Sequence, residues 1–552
     1  MNRKLMRRVL AIFLCLLVFA PYGLSSEVSA GKLEPPNETF TPGQWFLGDR
    51  PTNYDSSKAP IVFVQGKNGS STSWYGETTY HGVNDMYTMA YDAGYQTVFV
   101  QLYDAAGNGS ENQYTNGRLL ASMLGEISRH FNGQKVNIIA HSKGGPDTQA
   151  ALIHYGAYSY VDKVITLGSP HYGSELADLS YSWYAGWLGE LLGMNDAGTY
   201  SLQVGEMAKF RSVTDSNPNR SKNKYYTVAG TNKGPALSAL SLGGAYLSFY
   251  GANDGLVTVT SSKLPYGTHL FTDNTIDHDN IRQGSKVFSR IEPYLRSTAV
   301  SQLSDNTEAL NQTDTVIQSE SSNYINGDML SDSQLSDNIE ALNQTDTVIQ
   351  SESSSYINGG MLSDSQFIKN EIYVPATTRG TIFVYTASND TTVELVAPDG
   401  TIMTASGPIK DDTIISGASL YSFQLDEFIE GSWTVQMKAT NAKDAYLLVS
   451  SFDEPEKIVL NMAGKGKADQ TSFTLKAPKQ AGTTRLSFKF KDPEGNELKQ
   501  SIIPNTTNGA EFTSKLPKVS KPGVYNMTVD MTTKHPNGKE SVRTLVRSVY
   551  IE

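Results

Sequence analysis

The chain has 552 residues, a formal net charge of −11 at pH 7 and a single cysteine, Cys15. A chain of this length exceeds what one hydrophobic core supports, so we expect about two to four domains. The acidic balance disfavours nucleic acid as a partner, and one cysteine excludes a disulfide within the chain.

Residues 1–30 differ in composition from the rest of the chain. Four basic side chains at positions 3–8 precede an almost unbroken apolar run, Val9–Ala20, and small residues follow as far as Ala30. This pattern is typical of a cleavable export signal, and the apolar run is shorter than the roughly 20 residues of a membrane-spanning helix. We therefore predict a secreted, extracellular protein without a transmembrane segment; an uncleaved N-terminal anchor is the alternative. Removal of the signal also removes Cys15, which excludes thiol catalysis.

Residues 31–298 alternate β-branched apolar runs with segments of helical spacing. Continuous apolar strands separated by helices indicate a mainly parallel sheet that helices cover on both faces, which is the α/β class. The runs with strand character are Ile61–Val64, Thr97–Val100, Val136–Ile139 and Val164–Leu167, and the helical segments are Met86–Ala93 and Leu119–Phe131.

Residues 299–352 are predicted to form an acidic, disordered linker, because polar and acidic side chains dominate and aromatic residues are few. A tandem duplication of 32 residues, Ser301–Asp332 and Ser333–Asp364, differs at three positions. Two copies without a strong apolar face do not make a solenoid, so a linker is favoured over a binding repeat. Tyr356–Leu362 of the second copy is suited to be the first strand of the next domain, and we expect only that copy to be well ordered.

The remainder of the chain has the pattern of all-β structure. We predict a β domain at 353–454 and a sandwich-like, Ig-like domain at 455–552, because short alternating strands such as Trp433–Met437 are separated by turns such as Asp492–Gly495. Neither unit carries a catalytic constellation. Attachment to a surface or an insoluble substrate is the function we expect of them.

A strand that leads directly into a serine gives the clearest chemical signal. Ser142 follows Val136–His141 and precedes a helical segment, with small residues, Ala140 and Gly144, two positions before and after it. A sharp strand-to-helix turn of this kind exposes a nucleophilic hydroxyl above the sheet, and it needs small neighbours because the backbone is crowded. The sequence therefore predicts Ser142 as a nucleophile. The alternative is an ordinary serine in a βα loop.

A serine nucleophile needs a histidine base and an acid that orients the base. In this kind of fold the chain order is serine, acid, histidine. His171 lies too close to the serine strand for an acid to intervene, and His269 lies within an apparent strand, so we favour His278 in its polar loop. Asp254 in a glycine-bounded loop is the favoured acid, and Asp277 remains the alternative.

An oxyanion that develops during acyl transfer needs two main-chain N–H donors. The residue directly after the nucleophile, Lys143, supplies the first in this prediction. The second is predicted in the glycine-rich loop Gln65–Gly69, at Lys67.

Four segments together resemble the secreted bacillary lipases of the α/β-hydrolase superfamily. The resemblance implies a Ser142–Asp254–His278 triad and an oxyanion hole at Lys67 and Lys143. We predict no cofactor or metal, because the histidines are scattered along the chain and the mature chain has no cysteine. Such lipases usually have His-Gly where this chain has Gln65-Gly66, a departure that concerns loop geometry and substrate preference. The segments are Val62–Gly66, Ala140–Gly145, Thr166–Ser174 and Asp254–Val257 with His278.

Large apolar side chains in residues 176–192 bear on the substrate. Trp183, Tyr184, Trp187 and Leu188 are predicted to form a cover or an acyl-binding wall, and a plain core helix is the alternative. We expect a triacylglycerol lipase that binds lipid or ester at an interface. The alternatives are a short-chain carboxylesterase, an extracellular polyester (polyhydroxyalkanoate) depolymerase, and a surface-binding protein whose hydrolase domain is inactive.

Overall fold

The computed structural model describes residues 33–296, apart from 108 and 193–195, and most of residues 347–551. Within the second range it leaves out 412–413, 442, 464–471, 477–482, 499–504, 508–510, 517–518 and 520. The predicted signal peptide, the first copy of the duplication and most of the linker lie outside the described residues. Across the described part of the chain, no helix has both the length and the apolar character needed to cross a membrane.

The first part of the chain, residues 33–296, folds around a seven-stranded sheet and is called the α/β unit below. Its strand order is β1-β3-β2-β4-β5-β6-β7, and every pairing is parallel except the antiparallel pairing of β1 with β3. The predicted mainly parallel sheet is thereby confirmed. The strands are β1 (Trp45–Leu47), β2 (Ile61–Val64), β3 (Thr97–Val100), β4 (Val136–His141), β5 (Val161–Leu167), β6 (Lys224–Gly230) and β7 (Thr268–Asp273).

Helices cover both faces of this sheet, as the continuous apolar strands require. A turn of π-helix, Ala150–His154, extends the helix Gly144–Gln149, and 3-10 turns lie at Ser71–Trp74, Tyr103–Ala106, Ala157–Tyr160, Pro218–Ser221 and Asn280–Arg282. The α-helices are α1 (Met86–Asp92), α2 (Gln113–His130), α3 (Gly144–Gln149), α4 (Glu175–Ser180), α5 (Gly186–Leu192), α6 (Ala197–Ser201), α7 (Val204–Thr214), α8 (Ala239–Leu247) and α9 (Gly284–Leu295).

Strand β2 shows why two apolar layers form. Successive side chains of a strand point to opposite faces, so Ile61 and Phe63 pack with α1 and α9, whereas Val62 and Val64 pack with α2. All four residues are fully buried. The sheet is therefore a rigid platform, and its carboxyl edge carries the loops in which the predicted site residues lie.

The second part, residues 347–551, is called the C-terminal β region and consists of antiparallel sheets. Eight strands form one sheet, in which β8 joins the path β13-β14-β10-β16-β17-β21-β20 by pairing with β16; the orders of two four-stranded sheets are β12-β11-β15-β9 and β19-β18-β22-β23. The strands are β8 (Thr347–Met361), β9 (Ile368–Val374), β10 (Thr378–Thr386), β11 (Thr392–Val396), β12 (Ile402–Thr404), β13 (Ser406–Asp411), β14 (Ala418–Phe428), β15 (Gly431–Lys438), β16 (Ala445–Ala463), β17 (Ser472–Lys476), β18 (Thr483–Lys491), β19 (Glu497–Leu498), β20 (Asn505–Thr507), β21 (Glu511–Lys515), β22 (Gly523–Lys534) and β23 (Glu540–Ile551).

Strand β16 crosses the boundary that the sequence predicts between 454 and 455. It pairs with β10 before that point and with β17 after it, so one sheet continues through both predicted β units. The register with β8 shifts between Asp453 and Ile458, and this irregularity accommodates Pro455, which cannot donate a ladder hydrogen bond. The strand expected at Tyr356–Leu362 lies within β8, which starts earlier, at Thr347.

The C-terminal β region packs directly on the α/β unit. Phe249, just after α8, is 1% exposed because it inserts among apolar residues of the β region, and Tyr250 donates a 2.7 Å hydrogen bond to the carbonyl of Val546. Arg547 of β23 forms a buried 2.6 Å ion pair with Glu175 of α4. The interface thus contains both apolar and charged groups that are shielded from water.

Candidate active site

The turn after β4 holds Ser142 in a conformation that few residues adopt. Its φ is +52°, in the left-handed region, and the Ser142 N–H donates 3.0 Å to the carbonyl of Leu167 on β5. A Cβ on Gly144 would lie 2.5 Å from the carbonyl oxygen of Gln65, so only glycine fits there. This crowding is the physical reason for the small residue that the sequence places two positions after the serine.

Ser142, His278 and Asp254 form one chain of hydrogen bonds. His278 Nε2 lies 2.9 Å from Ser142 Oγ, and His278 Nδ1 lies 2.9 Å from Asp254 Oδ2. A proton on Nδ1, donated to the carboxylate, leaves Nε2 as an acceptor for the serine hydroxyl. Asp254 is 1% exposed, and its other oxygen accepts the N–H groups of Leu256 and Val257 at 3.1 and 2.8 Å. The carboxylate is therefore fixed on both sides.

The loop Gln65–Gly69 lies against Ser142, the predicted nucleophile. A Cβ on Gly66 would come 2.8 Å from Ser142 Cβ, so the loop backbone touches the serine. The N–H groups of Lys67 and Lys143 donate to no acceptor among the described residues, which leaves both available to an incoming oxygen. Gln65 is fully buried, and with its amide oriented to suit its neighbours it donates 3.1 Å to Val100 and accepts 2.9 Å from Leu102. Gln65 thus anchors this loop to the end of β3.

Comparison with solved structures identifies the family. The crystal structure of Bacillus licheniformis lipase BlEst2 in propeptide form matches over 92% of this chain and 98% of its own, with 30% sequence identity and a TM-score of 0.68. The chain belongs to the bacillary lipase family of α/β-hydrolases. The mature form of the same lipase matches 47% of this chain and 100% of its own, at 47% identity and a TM-score of 0.42. No protein-family model matches the sequence, and the comparison with curated proteins found no match.

The lipase fold separates Asp254 from the alternative acid, Asp277. Asp277 accepts a 2.6 Å hydrogen bond from His81 Nε2 and also accepts the N–H groups of Asp279 and Asn280, so it shapes the loop that carries the histidine. It is Asp254 that lies at His278 Nδ1. The structure therefore places the favoured acid, Asp254, at the imidazole and the alternative, Asp277, elsewhere in the same loop region.

The other two histidines considered in the sequence lie away from Ser142. His171 is fully buried between Thr166 and Gln149, at 3.1 Å from each. His269 of β7 lies 2.9 Å from Thr227. The contacts of both are with structural side chains of the sheet and its helices.

Two of the predicted cover residues are held by the C-terminal β region. Tyr184 donates 2.7 Å to Asp530 and lies 2.6 Å from Lys489 Nζ, and Leu188 is 1% exposed in an apolar cluster shared with β-region strands. Trp183 lies 5.8 Å from the same ammonium, and Trp187 is 38% exposed. In the structure this segment is a docking face for the C-terminal β region.

His141, which the sequence analysis did not single out, supports the histidine loop. Its Nε2–H donates 2.9 Å to the carbonyl of His278, directly beneath the triad. Burial, followed by the charge of His278, holds the His141 pKa well below its usual value, so this ring stays neutral. Its position beside the nucleophile in the sequence gave the only signal of such a role. Among the described residues, no cluster of three or more His, Cys, Asp or Glu side chains is arranged to hold a metal ion.

A buried carboxylate beside the site gives a pH-dependent stability. Asp147 accepts hydrogen bonds from Lys143 Nζ at 3.0 and 2.9 Å, and burial raises its pKa to about 7. Because the folded pKa exceeds the unfolded one, this group's contribution to stability is full below about pH 4 and is lost as pH rises through about 7. Asp147→Asn mimics the protonated form. We therefore expect the variant to match the wild type in free energy of unfolding below about pH 4, to exceed it modestly at pH 5 and to exceed it at pH 9 by on the order of 2–4 kcal/mol.

Unfolding by urea at pH 5, 7 and 9 checks this expectation. Asp162→Asn, at a carboxylate that is 43% exposed and pairs with Lys163 at 3.2 Å, is the control. A difference between Asp147→Asn and wild type that shrinks as pH rises would contradict the assigned direction.

Proposed function

We propose that this bacillary lipase-family chain hydrolyses carboxylic esters through an acyl-enzyme on Ser142. The observation that carries the proposal is the hydrogen-bonded order of Ser142, His278 and Asp254, with 2.9 Å at each step, on a strained turn. Such an arrangement supports nucleophilic catalysis because the base lies within reach of the serine proton and the acid fixes the tautomer of the base.

The first half of the proposed reaction transfers the acyl group. Ser142 Oγ attacks the ester carbonyl as its proton moves to His278 Nε2, and the carbonyl oxygen gains the negative charge. The Lys67 and Lys143 N–H groups donate to that oxygen. Collapse of the intermediate breaks the bond to the alcohol, which takes the proton from His278 and leaves.

The second half restores the enzyme. Water replaces the alcohol and gives a proton to His278 while its oxygen attacks the acyl carbon, so a second oxyanion forms in the same place. Breakdown releases the carboxylic acid and returns the proton to Ser142. Asp254 remains ionised throughout and stabilises the imidazolium in each half.

Triacylglycerol is the substrate class that we favour, and the short-chain ester is the second candidate. A panel of p-nitrophenyl esters from acetyl to palmitoyl, emulsified triacylglycerol and polyester film distinguishes them. We expect hydrolysis of the soluble esters and of the emulsion, with Ser142→Ala as the blank. Activity confined to acetyl and butyryl esters would identify a carboxylesterase, and activity confined to film a depolymerase. No turnover of any member would leave the inactive binding protein as the correct alternative.

The proposal includes export and a precursor form. Residues 1–30 have the pattern of a signal peptide, and BlEst2 exists in a propeptide form that aligns with nearly the whole of this chain. We infer that the C-terminal β region acts on the α/β unit as a propeptide instead of serving as a surface anchor. Its contacts support this inference, because Arg547 and Ser548 of β23 bind the buried carboxylates of Glu175 and Asp178.

Release of the C-terminal β region should therefore change the substrate range. The face that it covers includes Tyr184 and Leu188, which would become available to long acyl chains. A site-specific protease sequence placed within 301–332 allows the folded chain to be cut and the two parts to be separated. We expect hydrolysis of emulsified triacylglycerol to rise several-fold after separation, while hydrolysis of p-nitrophenyl acetate changes less. Equal rates on the emulsion before and after separation would contradict the propeptide role.

A further inference from the structure

A buried polar cluster lies directly beneath the proposed oxyanion donors and takes no part in the reaction described so far. Asp104, Asn116, Lys143 and Asp147 form it, and each is at most 2% exposed. Asn116 Nδ2 donates to Asp104 at 2.6 Å and to Asp147 at 3.0 Å, and Lys143 Nζ donates to Asp147. The same ammonium lies 3.9 Å from Asp104.

The cluster connects the two donors to each other. One donor is the N–H of Lys143, whose own side chain enters the cluster. The other is the N–H of Lys67, and the next N–H along the loop, that of Asn68, donates 3.1 Å to Asp104 Oδ1. Asn68 has a φ of +55°, so this contact also holds the loop in a left-handed turn. Asp104 is thus the point at which the loop meets the network of the nucleophile turn.

A second path leads from Lys67 back to the same carboxylate. Lys67 Nζ lies 2.8 Å from Asp196 Oδ2, and the other oxygen of Asp196 accepts the Ser110 N–H at 3.3 Å. The Ser110 hydroxyl in turn donates to Asp104. Main chain and side chain of the loop are therefore both tied to one buried carboxylate.

The composition of the cluster argues for a role beyond filling space. The backbone N–H that catalysis needs at position 143 is available from any residue except proline, so the lysine side chain is not required for it. Burying an ammonium with carboxylates typically adds no stability relative to apolar side chains of similar volume. Such networks do restrict geometry, because every member has a fixed partner.

We propose that Asp104 is a positioning residue that sets the distance between the Lys67 and Lys143 N–H donors, acting through Asn116 and Lys143. The inference rests on the proposed ester hydrolysis and specifies how its oxyanion hole is held. The carbonyl oxygen becomes charged only in the transition state, so misplaced donors lower kcat and leave substrate binding unchanged.

Asp104→Ala tests this proposal, and Asp104→Asn is the conservative partner because its amide oxygen still accepts the Asn68 N–H. We expect kcat for a soluble p-nitrophenyl ester to fall about 10–100-fold in Asp104→Ala, less than the 10²–10³-fold loss of a whole donor, with KM within about twofold. Asp104→Asn should recover part of the loss. An alkyl trifluoromethyl ketone, which places an oxyanion in the hole when Ser142 adds to it, should lose affinity by the same factor as kcat. The affinity for the unreactive amide with the same acyl chain, which forms no oxyanion, should not change.

Asn223→Ala is the matched control for lost stability. Its amide donates to two buried carbonyls, at 3.1 and 2.7 Å, directly before β6 and so at the opposite edge of the sheet from Ser142. We expect it to keep the wild-type kcat and ketone affinity. If Asp104→Ala does not fold, Asn116→Leu tests the proposal by the same two measurements, kcat and the affinity for the ketone.

Two results would overturn the proposal. One is a kcat in Asp104→Ala within twofold of wild type; the other is a lowered kcat with unchanged ketone affinity. Failure of the proposed function can be distinguished from failure of the positioning role. A wild-type enzyme that neither turns over esters nor reacts with the ketone at Ser142 would refute ester hydrolysis itself. If the wild type hydrolyses esters and reacts with the ketone, and Asp104→Ala has the same kcat and ketone affinity, only the positioning role is refuted.

Discussion

Ser142→Ala should lower kcat for ester hydrolysis by about six orders of magnitude. The hydroxyl is the group that lies 2.9 Å from His278 Nε2, so its removal leaves the base without a nucleophile to activate. The N–H donors stay in place, and they should maintain a residual rate about 10³–10⁴-fold above water. Initial rates with p-nitrophenyl butyrate measure the loss. The enzyme concentration is set high enough to detect the residual rate.

Ser212→Ala is the control for this substitution. Ser212 is exposed on α7, where its hydroxyl donates 2.8 Å to the carbonyl of Lys209. We expect it to keep the wild-type rate. Retention of more than about a hundredth of kcat in Ser142→Ala would mean that another group carries the reaction.

Asp254→Asn should lower kcat by about 10⁴-fold while the fold remains intact. An amide at this position would donate toward His278 Nδ1, which stabilises the tautomer with its proton on Nε2. That tautomer cannot accept the serine proton. The carboxylate also faces the imidazolium of the transition state from a buried position, so its charge acts with little screening.

Asp277→Asn is the matched variant, because both carboxylates lie in the same region and are equally buried at 1% exposure. Asp277→Asn removes a charge beside His81 and not beside the base, His278. We therefore expect kcat to fall less than about tenfold. Steady-state kinetics of the two variants at one pH make the comparison. A larger loss in Asp277→Asn than in Asp254→Asn would reverse the assignment of the acid.

The sheet and the nucleophile turn could be predicted because local sequence determines them. Strands buried on both faces, such as β2, must be apolar without interruption. The turn at Ser142 must have a small residue at position 144, because the carbonyl of Gln65 occupies the space of a side chain. These constraints act at short range and are legible in a single sequence.

The sequence favours Asp254 as the acid, but the final choice between Asp254 and Asp277 needs the fold. It depends on how the loop after β6 returns to the carboxyl edge, where the His278 N–H donates 2.8 Å to the carbonyl of Asp254. The roles of Asp104 and Asn116 could not be predicted from the sequence for the same reason. They lie 36 and 48 residues after Asn68, and only the fold of the sheet brings them beneath its loop.

The β region shows a third kind of difference. The sequence predicts a boundary between residues 454 and 455, yet the backbone of β16 continues through it with a shift in register. The docking of Tyr184 and Leu188 on the β region also could not be predicted from the sequence, because their large apolar surfaces suit a cover, a core or an interface equally.

The most direct test of the account is to locate the residue that a fluorophosphonate modifies. The folded chain is treated with an alkyl fluorophosphonate, digested, and mapped by mass spectrometry, with Ser142→Ala and Ser212→Ala treated alongside. If Ser142 is the nucleophile, one phosphonyl group is added to the peptide that contains Ser142; this product is present in Ser212→Ala and absent in Ser142→Ala. Modification of a different residue, or equal labelling of Ser142→Ala, would contradict it.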